Sequence, residues 1–171
     1  MKRRAVLTTG VCLSLGLGSA ARAETPAIQT AQKGATVATH ASGTFEVKVK
    51  PLPTDEKVEG LTVGRLALDK QFRGDLEGTS KGEMMTADPS VQGSGGYVAI
   101  ERVSGKLSGR SGSFILLHQG TMRRGGEFNL TVTVVPDSGT DQLVGLAGKM
   151  AIIITDGKHS YEFDYTLPDI S

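Results

Sequence analysis

The chain has 171 residues, 22% of them charged, with a formal net charge of +1, one cysteine and three histidines. A single cysteine excludes a disulfide framework and a cysteine metal site. Charge this balanced, with Arg123-Arg124 the one adjacent basic pair beyond residue 22, excludes the clustered basic face of a nucleic-acid binder, and no basic amphipathic helix argues for a membrane surface.

The chain opens as an export signal. Lys2, Arg3 and Arg4 precede a run of apolar and small residues from Ala5 to Ala20, and Ala21-Arg22-Ala23 fits a small-x-small cleavage site. The apolar run is too short and glycine-rich for a membrane span. Arg3-Arg4 also resembles a twin-arginine signal, and both readings imply a periplasmic or secreted protein. Cleavage would remove Cys12 with residues 1–23 and shift the net charge to about −3. Residues 24–36, rich in Ala, Thr and Gln without periodicity, read as a flexible leader. Residues 37–171 then form one domain, long enough for a real core.

From Thr44 the pattern has period two. Thr44 to Lys50 alternates cleanly and stops at Pro51 and Pro53. Leu61 to Phe72 is the second strand, and Arg73-Gly74-Asp75 turns it into the third, Leu76 to Ala87. After a Pro- and Gly-rich loop come Tyr97 to Leu107 and Ser113 to Met122. Arg123 to Gly126 turns into Glu127 to Val135. Leu143 to Thr155 and His159 to Leu167 complete the set, joined at Asp156-Gly157. Eight strands at hairpin spacing and no helix predict an all-β, antiparallel, up-and-down barrel, which hides its edges by closing. A sandwich is the alternative; glycines inside the strands favour the tighter curvature of the barrel.

Two turns set the registers. Asp-Gly at 156–157 is a type I′ signal. It pairs Ile154 with His159, Ile152 with Tyr161, Met150 with Phe163 and Gly148 with Tyr165, and puts that set inside. A two-residue turn at Gly109-Arg110 sets Glu101 directly across from His118, Val103 from Leu116, Gly105 from Phe114 and Ala99 from Gly120. Opposed residues stand within about 5.5 Å, close enough for a carboxylate–imidazole hydrogen bond. Lys70 shares a face with Leu66, Leu68 and Phe72. If that face is internal, Lys70 approaches Glu101 and needs it, since a buried lysine wants a partner. Val98, Ile100, Ile115 and Leu117 are apolar on the opposite face, which suggests a covered outer surface and a homo-oligomer.

Several blocks resemble the bacterial domain-of-unknown-function family 3224. They are Leu68 to Met84, Gly96 to Val103, Gly109 to Phe114, Val134 to Thr140, and Asp156-Gly157-Lys158-His159 with Phe163 to Leu167. The resemblance spans about His40 to Pro168. It implies a fold like that of the allene oxide cyclase-like β-barrels and carries no activity and no site residue with it. An export signal departs from the many relatives that look cytoplasmic.

Gly78-Thr79-Ser80-Lys81-Gly82 matches the G-x-S-x-G pattern of serine hydrolases. That chemistry needs a strand-to-helix turn, and here the motif lies within a hairpin. Scattered histidines give no metal-ligand spacing and no glycine loop cradles phosphate, so no metal or cofactor is expected. Glu101 and His118 are the candidate catalytic or polar-handle pair. Lys70, Tyr97, Phe114, Met150, Tyr161 and Tyr165 are the candidate ligand walls. The leading expectation is a barrel that binds one small apolar molecule. The alternatives are a cofactor-free isomerase or cyclase using Glu101 and His118 as acid and base, and a structural, oligomeric module with a filled lumen.

Overall fold

The computed structural model describes residues 38–54 and 59–168. The expected signal and leader lie outside them. Eight strands are formed: β1 Ala38–Leu52, β2 Leu61–Gly74, β3 Leu76–Pro89, β4 Gly95–Leu107, β5 Arg110–Arg123, β6 Glu127–Val134, β7 Ala147–Thr155 and β8 Lys158–Thr166. A single 3-10 turn, Asp141–Leu143, is the helical element among the described residues. Every strand pairs antiparallel with its chain neighbours, and β1 pairs with β8 to close the barrel. Closure leaves no end strand in the sheet, which is what eight sequential hairpin strands require.

Several strand limits differ from the sequence reading, and two of the differences have a plain physical reason. β1 runs through Pro51, because β8 pairs only as far as Phe45 and Pro51 then needs a partner on the β2 side alone. β7 begins at Ala147 rather than Leu143. Leu143 sits in the 3-10 turn, and Gly145, at φ +80°, takes the left-handed conformation that breaks the extended chain. The break turns Leu143 and Leu146 inward, where both are fully buried.

The β7–β8 hairpin has the register read from its turn, with Ile152 facing Tyr161 and Met150 facing Phe163. Asp156 and Gly157 both have positive φ, as type I′ requires. The β4–β5 hairpin does not follow the expected pairing. Its turn residues are Ser108 and Gly109, again both at positive φ, and Leu107 pairs with Arg110. The reading placed glycine first in the turn, whereas type I′ favours it second, after a small polar residue. The ladder is therefore shifted by two residues. Glu101 faces Leu116, His118 faces Ala99, Val103 faces Phe114, Gly105 faces Gly112 and Tyr97 faces Gly120. A two-residue shift preserves parity, so every inward side chain stays inward.

The up-and-down topology gives the barrel two unlike ends. The β2–β3, β4–β5 and β6–β7 connections meet at one end, and the 135–146 segment closes it. Its backbone and side chains occupy the edge of β5 that β6 leaves free: Val135 N–H donates to Ile115 O at 2.9 Å, and Ser113 N–H donates to Thr140 Oγ1 at 3.0 Å. Above this plug the lumen is filled by Phe72, Leu76, Val103, Leu107, Phe114, Tyr161 and Phe163, all at most 1% exposed. Phe114 stacks on Phe163 at 6.0 Å, and Phe72 meets Tyr161 edge-on at 5.8 Å. Each such ring contributes about 1.5–3 kcal/mol by leaving water. The Tyr161 hydroxyl accepts from Leu76 N–H at 2.8 Å, so even this ring's polar atom is satisfied. On the outer wall, Val98, Ile100 and Leu117 are exposed, and Ile115, beside the 135–146 segment, is half-buried.

Candidate polar site at the barrel mouth

Above the aromatic layer the lumen changes character. Glu101 on β4 is fully buried and accepts three hydrogen bonds. Its Oε1 takes one from Lys70 Nζ and one from His118 Nε2, both at 2.8 Å, and its Oε2 takes one from Ser80 Oγ at 2.8 Å. Lys70 is 6% exposed and His118 3%. Parity explains how four polar groups from four strands converge. Lys70, Ser80, Glu101 and His118 all occupy inward positions of their strands, and Lys70 is directly opposite Ser80 in the β2–β3 ladder. Glu101 reaches His118 diagonally rather than straight across, a span that long side chains cover.

The electrostatics follow from this packing. Burial alone would raise the Glu101 carboxyl above its usual range. The hydrogen bond from His118 and the charge of Lys70 oppose that and hold it down at about 2. Glu101 is thus a carboxylate, an acceptor only, and His118 Nε2 must carry the proton it donates. Lys70 Nζ also lies 4.9 Å from the centroid of Phe45 and 5.9 Å from that of Phe72, so its charge is shared with two ring faces. The phenol of Tyr97 is raised by its burial and by the Glu101 charge.

These groups floor a cavity of about 350 Å3 at the open end, lined by Phe45, Leu68, Lys70, Met84, Tyr97, Ala99, His118, Phe128, Leu130, Ile152, Ile154 and His159. Phe128 and Leu130 come from β6, Ile152 and Ile154 from β7. Those two strands share one register pair, Thr133 with Lys149, below the cavity. Above that pair the walls diverge, and the space between them is apolar. The Tyr97 ring lies over Gly120, its direct partner on β5, which has no Cβ to strike it.

Of the residues picked out from sequence, Lys70, Tyr97 and His118 line this cavity. Glu101 does not; it stands behind Lys70 and His118. Phe114, Met150, Tyr161 and Tyr165 are elsewhere. All four are buried, in the filled part of the lumen, with Tyr165 Oη donating to Ser108 Oγ at 3.0 Å near the closed end. They build the core rather than the walls of the cavity, because each lies on its strand nearer the closed end than the residues that line the cavity. Ser80 was not picked out as a site residue. The signal for it was available, since the Arg73-Gly74-Asp75 turn sets Ser80 against Lys70. Its place in a continuous strand, bonded to a carboxylate, is not that of a nucleophile. His159 is half-buried, its ring 5.0 Å from that of Phe45. Among the described residues no cluster of three or more His, Cys, Asp or Glu is arranged to hold a metal ion.

The sequence profile of the family described as "Protein of unknown function (DUF3224)" matches residues 41–165. The crystal structure of a protein of unknown function from that family, from Shewanella oneidensis MR-1, is similar to this barrel. The two are 48% identical, with a TM-score of 0.74, over 78% of this chain and all of that one. No curated protein matches the sequence.

Proposed function

The chain belongs to the DUF3224 family, and we propose that it is an exported protein that binds one small, largely apolar molecule in the mouth of its barrel. The observation that carries this is the change in the lumen along its axis. One half is filled by buried aromatic and aliphatic side chains. The other is a cavity of about 350 Å3 with apolar walls and two nitrogen-bearing side chains on its floor. That is within the size range of small-ligand sites, at its lower end, and it has their composition. Export is supported by the charged, apolar and small-residue order of residues 2–23.

The geometry favours binding over acid–base catalysis by Glu101. A general base works best when its pKa lies near the operating pH. Glu101 is held at about 2, is saturated by three donors and is shielded from the cavity. The filled-lumen module is disfavoured by the open half. The test is a titration of 15N-labelled mature protein with 1-octanol followed by amide NMR. Shifts clustered at Leu68, Ala99, Leu130 and Ile152 are expected. No shift there with octanol, octanoate or 1-methoxyheptane would overturn the reading.

A further inference from the structure

The floor of the cavity specifies more than apolarity, and the argument rests on the binding reading above. Glu101 accepts the Nε2 proton of His118, so Nδ1 is the nitrogen that carries the lone pair whenever the ring is uncharged. His118 is 3% exposed, yet Nδ1 has no hydrogen-bond partner among the described residues. Among the described residues no enclosed side-chain polar atom is left unpaired either. Nδ1 therefore opens onto the cavity that His118 lines. Lys70 has three N–H donors and spends one on Glu101. Its nitrogen and Nε2 bond the same carboxylate oxygen, so the two side chains present themselves together. One offers a donor and the other a lone pair.

The charges at this floor also cancel. Lys70 and Glu101 form a buried ion pair, to which an uncharged imidazole would add nothing. A ligand carboxylate brought here would be a second buried anion beside Glu101, without a second cation to meet it. A hydroxyl meets the site without that cost: its oxygen accepts from Lys70 Nζ while its proton goes to His118 Nδ1. We propose that the cavity selects an apolar alcohol or phenol, read by Lys70 as donor and His118 Nδ1 as acceptor, with Glu101 fixing the imidazole tautomer. Glu101 is then a positioning residue, since it touches the ligand nowhere.

Three probes of equal length separate the terms. 1-Octanol donates and accepts, 1-methoxyheptane only accepts, and octanoate brings charge. Calorimetric titration of the mature chain at pH 8 should show octanol binding at least about tenfold tighter than either of the others, the loss expected when a buried hydrogen bond goes unmade. In protein labelled with 15N-histidine, the His118 Nδ1 resonance should move with octanol and stay with the ether. Ether binding as tight as octanol would show that Nδ1 is not read. Octanoate binding as tight or tighter would make the site an anion site. Either result overturns this inference and leaves the apolar cavity standing. Failure of all three probes to bind overturns the cavity itself.

Discussion

The barrel wall carries an imidazole–carboxylate cluster on each of its faces, and the two differ in everything but chemistry. Inside, His118, Lys70 and Ser80 converge on Glu101 with side chains at most 6% exposed. Outside, on the β1–β8 seam, His40 reaches Asp164 through Nδ1 and Glu162 through Nε2, each at 2.7 Å, with side-chain exposures of 55%, 83% and 46%. Bond lengths alone would rank the outer cluster higher. Surroundings reverse the ranking. In water each outer group has a substitute partner, whereas the inner carboxylate has only the three donors packed round it. The members of the inner cluster thus depend on one another and also set the polarity of the cavity floor, and the outer one is a modest adjustment of a surface seam.

The largest effect that tests this contrast is removal of Lys70. Lys70→Met should destabilise the fold by about 3–5 kcal/mol, because it strands a buried carboxylate. Lys70→Met with Glu101→Leu removes both charges and should recover most of that loss. Urea denaturation of the single and double variants measures the difference. A double variant no more stable than the single one would mean that the cost lay in packing against Phe45 and Phe72 rather than in the stranded charge.

Acid should reveal the same dependence without a change at Lys70. Unfolded, the Glu101 carboxyl takes up a proton near pH 4.5; in the fold it stays ionised to about 2. A depressed folded value means that the contribution is complete above pH 4.5 and is lost as pH falls through 2. Its size is on the order of 3 kcal/mol. Other carboxylates titrate in this window, so the comparison is with Glu101→Gln, which should lose correspondingly less stability between pH 5 and 2. Ser80→Ala is milder. It removes one of the three donors and should cost roughly 2 kcal/mol, as for a hydrogen bond to a charged group, with the Lys70 and His118 bonds intact.

How much of this was written in the sequence depended on which contacts are local. The β7–β8 register followed from Asp156-Gly157, because two residues with a strong turn preference fix a whole ladder. The β4–β5 register did not, since glycine first (Gly109-Arg110) and glycine second (Ser108-Gly109) are both two-residue turn patterns; the second is the type I′ pattern, and the positive φ of Ser108 and Gly109 identifies it. Parity survived the error, so Glu101 and His118 were legible as inward neighbours although their alignment was not. What local patterns could not show is the axial position of a residue in a closed barrel. Phe114, Met150, Tyr161 and Tyr165 alternate correctly and point inward, but strand tilt and the 135–146 plug place them where the lumen is filled. Leu130 and Ile152 line the cavity because β6 and β7 diverge, a property of two strands separated by a twelve-residue connection (135–146).

The smallest expected effect belongs to the outer cluster. The hydrogen bond to Asp164, then that to Glu162, raises the His40 imidazole above its usual 6.5. A raised folded value means that the protonated ring stabilises the fold fully below pH 6.5 and that this contribution fades as pH rises through the folded value. His40→Gln should therefore lower Tm slightly at pH 6 and leave it unchanged at pH 9, while a proton NMR titration follows the ring directly. Salt should shrink the pH 6 difference, because exposed charges are screened within about 10 Å at 0.1 M. The Ser80–Glu101 bond, buried behind the cavity floor, should show no such salt response in Ser80→Ala. If both variants responded alike to salt, burial would not be what separates the two clusters.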